Sequence, residues 1–429
     1  MTLQALLDAL APVGRDPATG GYRRFAWTRE DAELVAWFTG ECSARGLDVV
    51  TDRVGNLWGW WGDPDASPGL VLGSHLDSVP HGGAYDGPLG VVSAFAALDL
   101  LRDGGFAPRR PVGVAVFRDE EGARFGVACA GSRLLTGALP AATALGLRDA
   151  DGVTMASAMA AAGHDPRRVG PDEEALRRIG TYVELHVEQG LGLVDAGAAV
   201  GVGSGIWPHG RWRLELRGRA DHAGTTRLAD RDDPMLALAQ AIQVARAAAT
   251  AHGALATVGK VRVAPGAVNA IPSSVTAWLD ARGAEAPAVR AVVAAVSGAA
   301  GCAAVEESWS GPVSFDAALV RRLAAVVGGV SDADVGAFGD SGAAGGSGAA
   351  GGSGGREVSA AFAAAGGPAP VLATGAGHDA GILAAAGVPA GMLFVRNPTG
   401  VSHSPAEHAE PADCLAGVAA LARVVRELA

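Results

Sequence analysis

The sequence predicts an α/β fold: a mixed, mostly parallel sheet flanked by helices, interrupted by an inserted α+β domain of ferredoxin-like order. Three observations predict it. Short, β-rich apolar runs alternate with helical segments. Four of those runs lead, past their C-terminal ends, into loops that carry acids or histidines. Residues 211–325 read β-α-β-β-α-β, unlike the chain on either side. The organisation expected is one domain from 1–210 and 326–429, with a second domain, 211–325, inserted into it.

Each element has its reason. Residues 29–45 carry Ala32, Leu34, Val35, Trp37 and Phe38 at helical spacing among charges. Residues 47–50 and 56–61 read as strands about Gly55. The apolar run 70–72 leads into Gly73, Ser74 and His75; the run 112–117 leads into Arg118, Asp119, Glu120, Glu121 and Gly122. Between them residues 91–102 are helical. The run 181–185 leads into His186, Glu188 and Gln189, and the run 392–395 into a loop ending in Ser402 and His403. Open α/β sheets bind ligands beyond the carboxyl ends of their strands. In the inserted region, 212–217, 255–263, 274–280 and 303–310 read as strands, and 234–252 and 287–299 as helices. The tract 341–355 is Gly/Ala/Ser low complexity and reads as a flexible exposed loop.

Composition excludes several classes. The chain has 429 residues, 49% hydrophobic and 18% charged, enough for a substantial core and too apolar for disorder. A formal net charge of −11 argues against nucleic acid or an anionic membrane surface as partner. No apolar stretch is long enough for a membrane span. Residues 1–12 carry Asp8 and no Lys or Arg, unlike a signal peptide. Cys42, Cys129, Cys302 and Cys414 lie far apart, which fits a reduced, cytoplasmic protein.

The chemistry sits in the strand-end clusters. In GSHLDSVPHGGAYDG, His75, Asp77, His81 and Asp86 suit a borderline divalent ion, Zn, Mn, Co or Ni. Asp77 is placed to take the imidazole N–H of His75. In RDEEG, two adjacent carboxylates point in different directions, so one can bind metal while the other faces substrate. Strand alternation puts Glu184, His186 and Glu188 on one face; Gln189 follows as a candidate substrate contact. Taken singly, each cluster could be no more than a polar turn. Together His75, Asp86, Glu121, His186 and His403 supply five ligands, a set suited to two metals ~3.5–4 Å apart, with Glu120 left as general base. That chemistry suits hydrolysis of a C–N bond at a carbonyl. In the inserted domain, His222 could donate to a tetrahedral oxyanion, Arg282 could fork onto a carboxylate, and Asn269 could support either.

The motifs GSHLDSVPHGGAYDG, RDEEGARFG, ELHVEQG, DHAGTT, NAIP, GAGHDA and SHSPAE, in that order, resemble the hydantoinase/carbamoylase family of binuclear metal amidohydrolases, within the aminoacylase and metallo-carboxypeptidase superfamily. The resemblance spans about residues 20–410. It implies a two-metal catalytic domain and a smaller lid domain that dimerises. It implies His75, Asp86, Glu121, His186 and His403 as ligands with Asp86 bridging, Glu120 as base and Asp77 as the carboxylate orienting the first histidine. It implies Gln189, His222, Asn269 and Arg282 as substrate-binding positions, with the lid histidine serving the partner subunit. His378 matches a family motif without an assigned role.

The substrate this implies is a small carboxylate bearing a ureido group, as in N-carbamoyl-L-amino acids or allantoate, hydrolysed to ammonia, carbon dioxide and an amine. A metallo-aminoacylase or dipeptidase on the same fold is the alternative; it would favour an acid where His186 stands. A silent relative would have lost a ligand or Glu120, and all are present. The sequence departs from the family at Arg227 and Leu228 after HAGTT, at His81, and in the 341–355 tract.

Overall fold

The computed structural model describes residues 2–329 and 368–429; the 341–355 tract lies outside the described residues. The chain divides into two compact units. The first comprises Met1–Ser204, Ser314–Leu372 and Gly377–Ala429, and the second Gly205–Val313 with Ala373–Ala376.

In chain order the strands are β1 (Asp48–Thr51), β2 (Leu57–Trp61), β3 (Gly69–His75), β4 (Val112–Phe117), β5 (Ile179–Val187), β6 (Val200–Ile206), β7 (His209–Arg217), β8 (Asp221–His222), β9 (Ala254–Ala264), β10 (Ala270–Ile271), β11 (Ser274–Gly283), β12 (Ala304–Ser310), β13 (Val313–Ser314), β14 (Val371–Thr374) and β15 (Ala390–Val395). A nine-stranded sheet runs β1-β2-β4-β3-β5-β15-β6-β13, with β14 also on β6. Its centre, β4-β3-β5-β15, is parallel; β2 and β6 flank that centre antiparallel. Every residue of β3, β4 and β15 is buried, as expected for parallel strands covered on both faces.

The expected strand 181–185 is longer in the structure. Parallel pairing with β15 carries β5 through Val187, with His186 opposite Phe394. His186 is therefore on the strand rather than beyond it, and His75 is the last residue of β3. Because Gly73 pairs with Glu184, His75 and His186 stand level on neighbouring strands. Their rings lie 5.8 Å apart, centroid to centroid.

The helix Pro88–Asp103 follows, with proline in its first turn and one face after another buried. Its N-cap, Gly87, has φ 83°, and a Cβ there would lie 2.5 Å from the His75 ring. Glycine at 87 is thus required twice, by the turn and by the histidine.

In the second unit, β12-β7-β11-β9 form an antiparallel sheet. β11 alternates half-buried and buried residues, so one face meets the helices Pro234–His252 and Ala286–Ala300. Leu214, Leu279, Val289, Val292 and Val296 are fully buried there. Each such side chain stabilises by about 1.5–3 kcal/mol. A second, two-residue ribbon pairs β8 with β10, setting His222 opposite Ala270. This ribbon is too short to show a period in sequence.

Candidate active site

Asp86 is the centre of the site. Its Oδ1 lies 3.5 Å from His75 Nε2 and 3.2 Å from His186 Nε2. Its Oδ2 lies 3.6 Å from His403 Nε2, which in turn lies 3.5 Å from Glu121 Oε2. Two groups able to hold a metal result, His75–Asp86–His186 and Asp86–Glu121–His403, sharing one carboxylate. The positive charge that His186 and His75 would carry outweighs burial and holds the Asp86 carboxyl well below the usual range.

The histidines are set for ligation by their other nitrogens. His75 Nδ1 pairs with the main-chain oxygen of Asp77 at 3.1 Å, and His186 Nδ1 with that of Val187 at 2.9 Å. A carbonyl only accepts, so Nδ1 donates in each ring, and in the neutral form that a metal binds Nε2 presents a lone pair. Both Nε2 atoms are buried without a hydrogen-bond partner. Leaving buried polar atoms unsatisfied costs stability, and a divalent ion between them and Asp86 would satisfy them. The residues present fit a metal.

Asp77 lies beside His75, the histidine it was expected to orient, and makes a further pair of contacts. Its carboxylate stands 3.6 Å from His75 Nδ1 and accepts the backbone N–H groups of Glu120 (3.1 Å) and Glu121 (3.0 Å). It thereby aims the two adjacent acids. Glu121 turns to His403, and Glu120 Oε2 lies 3.7 Å from His75 Nε2. Burial raises the pKa of Glu120 well above the ordinary carboxylate value.

Gln189 Nε2 donates to Asp86 Oδ2 (2.9 Å) and Ser402 Oγ (3.1 Å), and Ser402 Oγ donates to Asp86 Oδ2 at 3.1 Å. The amide oxygen of Gln189 is buried without a partner. His81 is outside both metal groups: it is partly exposed, with Nδ1 3.0 Å from Thr19 Oγ1. His378 is buried, its ring 4.5 Å from that of His186, and burial lowers its pKa well below the ordinary histidine value.

Sequence reasoning missed Glu407. Its Oε1 accepts both Tyr85 N–H (2.8 Å) and Asp86 N–H (2.9 Å), fixing the backbone that carries the shared carboxylate. A Cβ on Gly83 would meet that carboxyl at 2.4 Å. Glu407 stands in SHSPAE, four residues after His403, so the signal was present but had no spacing rule to flag it. Glu184, two residues before His186 on the same strand, accepts from Ser74 Oγ (2.8 Å) and Ala380 N–H (3.0 Å).

In the second unit, His222 and Asn269 are exposed. Gly224 N–H donates to His222 Nδ1 at 3.0 Å, so the proton of the neutral ring sits on Nε2. The Asn269 main-chain oxygen accepts from Ala223 N–H. Arg282 forks onto Asp280 (Nε 2.8 Å, Nη2 2.7 Å) and gives Nη1 to the Gly375 carbonyl.

The model of peptidase family M20/M25/M40 matches residues 71–350 and 353–427. An N-carbamoyl-L-amino acid amidohydrolase of Geobacillus stearothermophilus is 38% identical over 435 residues, covering 99% of this chain and 97% of that protein. Allantoate amidohydrolase of Escherichia coli is 33% identical over 67% of this chain and 70% of that protein. The crystal structure of a hydantoinase/carbamoylase family amidase from Burkholderia vietnamiensis superposes with TM-score 0.81 at 28% identity, covering 99% of this chain and 96% of that one.

Proposed function

The chain belongs to peptidase family M20/M25/M40, and from that premise we propose that it hydrolyses the ureido C–N bond of a small N-carbamoyl carboxylate. It is a hydrolase of non-peptide C–N bonds. The observation that carries the site is Asp86, one carboxylate facing two ligand groups with Glu120 beside them. We assign one divalent ion to His75, His186 and Asp86 and a second to Asp86, Glu121 and His403. Zn, Mn, Co and Ni all suit such mixed ligation. When bound, such ions polarise a carbonyl and make water acidic near neutral pH.

The residues of the chain do the rest. Glu120 takes a proton from the attacking water as its oxygen bonds to the carbamoyl carbon. The C–N bond then breaks, the departing nitrogen receives a proton, and one amine leaves with carbamic acid, which falls to carbon dioxide and ammonia. His222, with its Nε2 proton outward, is suited to donate to the developing oxyanion. Arg282 keeps two N–H groups beyond those given to Asp280 and Gly375, enough to hold a substrate carboxylate. Asn269 and Gln189 complete the substrate contacts, and Asp77 fixes the two acids.

We further assign a homodimer formed through the second unit. β9 is an edge strand, and Leu255, Val261 and Val263 on it are exposed. Four unpaired thiols suit a reducing compartment such as the cytoplasm. Among the described residues no helix is long and apolar enough to cross a membrane.

The test is ammonia release by manganese-loaded protein on allantoate and on a panel of N-carbamoyl-L-amino acids, with N-acetyl amino acids and dipeptides as controls. Turnover of a ureido substrate is expected. Activity confined to the controls would move the enzyme to the aminoacylase or peptidase class.

A further inference from the structure

Glu120 is a buried acid in acidic company. His75 favours its carboxylate while Asp379, Glu121 and Asp77 oppose it, and among the described residues no arginine or lysine is hydrogen-bonded or ion-paired to it. The terminal torsion of a glutamate is broad and roughly two-fold. A carboxylate with nothing donating to it would swing, and its proton-accepting oxygen would not stay on the water it must deprotonate. Among the described residues, one side chain donates to it: Cys129, whose Sγ lies 3.3 Å from Glu120 Oε1.

The backbone puts that thiol there deliberately. Cys129 N–H donates to the Glu120 carbonyl, Ala130 N–H to that of Asp119 and Gly131 N–H to that of Arg118. The loop after β4 is thus folded back on itself, with residue 129 directly across from residue 120. Cys129 takes a left-handed conformation, φ 53° and ψ 37°, as it enters the helix Ala130–Thr136. That conformation is uncommon for a side chain other than glycine, asparagine or aspartate. Cys129 caps no backbone N–H of the helix with its side chain, so capping does not explain the residue. Cys129 is buried, 2% exposed as a residue.

We propose that Cys129 is a positioning residue for the reaction: its thiol anchors Glu120 Oε1 and so holds Oε2, on the His75 side, as the oxygen that accepts the proton from water. This rests on the assignment of Glu120 as the base. The thiol needs to stay protonated to do this, and burial together with the negative charge of Glu120 keeps it so. A thiol is a weak donor, but an ionised acceptor strengthens the bond. It is also a mild one: it orients the carboxylate without neutralising it, as an arginine would.

Two substitutions separate this from packing. Cys129→Ser keeps a donor and loses the sulfur volume; Cys129→Ala loses both. Steady-state kinetics, metal content and melting temperature are measured for each manganese-loaded protein, with Glu120→Gln alongside. Cys129→Ala is expected to lower kcat about tenfold, the scale of a small misplacement of a reacting group. KM and metal content stay as in the parent, and Cys129→Ser restores most of kcat. If serine is as poor as alanine, the sulfur only fills space and the proposal falls. If Cys129→Ala turns over like the parent while Glu120→Gln is inactive, the thiol has no part and Glu120 remains the base. If Glu120→Gln itself turns over normally, the base assignment fails and takes the proposal with it.

Discussion

The polar cluster of the first unit and the polar loop of the second are built in opposite ways. His75, Asp86, Glu120 and His186 are each at most 6% exposed, and each is fixed by strand pairing or by a hydrogen bond made by its ring or its own backbone N–H. His222 and Asn269 are exposed and ride on a two-residue ribbon. Burial is what makes the first cluster speak: a buried nitrogen without a partner is costly, so the two Nε2 atoms imply something that binds between them. An exposed histidine carries no such cost, and its geometry alone implies little. The first cluster is pre-organised by folding; the second takes its meaning from what lands on it.

The largest effect is expected from Glu120→Gln. It should lower kcat by about 10³–10⁴-fold, the upper range for general base catalysis, with metal content and melting temperature unchanged. Near-normal turnover would remove Glu120 from the mechanism. His222→Ala comes next. Loss of one oxyanion donor predicts a fall in kcat of about 10²-fold, and exposure predicts an unmoved melting temperature. A melting temperature that drops while kcat holds would make His222 structural and erase the contrast. Arg282→Ala should raise KM for a carboxylate substrate about tenfold or more with a smaller change in kcat, the signature of lost substrate binding. An unchanged KM would defeat its assignment.

The last effect is in pH. Burial pulls His75 toward its neutral form, but the carboxylates of Glu120, Asp77 and Asp86 prevail and its pKa stands well above the ordinary value. The free site therefore holds a proton there at neutral pH, and a metal ion must displace it. Affinity for Mn should rise with pH below that raised pKa, by about tenfold per unit for each proton displaced. Titration calorimetry in buffers of different ionisation enthalpy reads the protons released. A Kd that is flat between pH 6 and 8 would contradict the proton assigned to His75.

Much of this was legible beforehand, for reasons tied to particular residues. The parallel centre showed because β3, β4 and β15 are buried throughout and read as unbroken apolar runs. His75, Asp86, Glu121, His186 and His403 are metal-ligand types at strand ends, and the structure brings them around one carboxylate. What stayed hidden depends on contacts between distant residues. Nothing local tells Asp77 to clamp two backbone N–H groups 43 and 44 residues on. Nothing near Glu407 indicates that its oxygen belongs to residues 85 and 86. Cys129 read as one of four scattered thiols, since its partner is set by how the loop after β4 folds back.

The grip of Glu407 on Asp86 spans 321 positions, and that of Ser402 spans 316. A ribosome making this chain releases Asp86 long before either holder exists. Contacts of such separation form late, because the intervening loop must first be closed. The shared carboxylate is therefore locked only near the end of folding. Metal uptake should accompany the final refolding phase rather than seed the first, and ion binding in this enzyme would then report that the fold is finished.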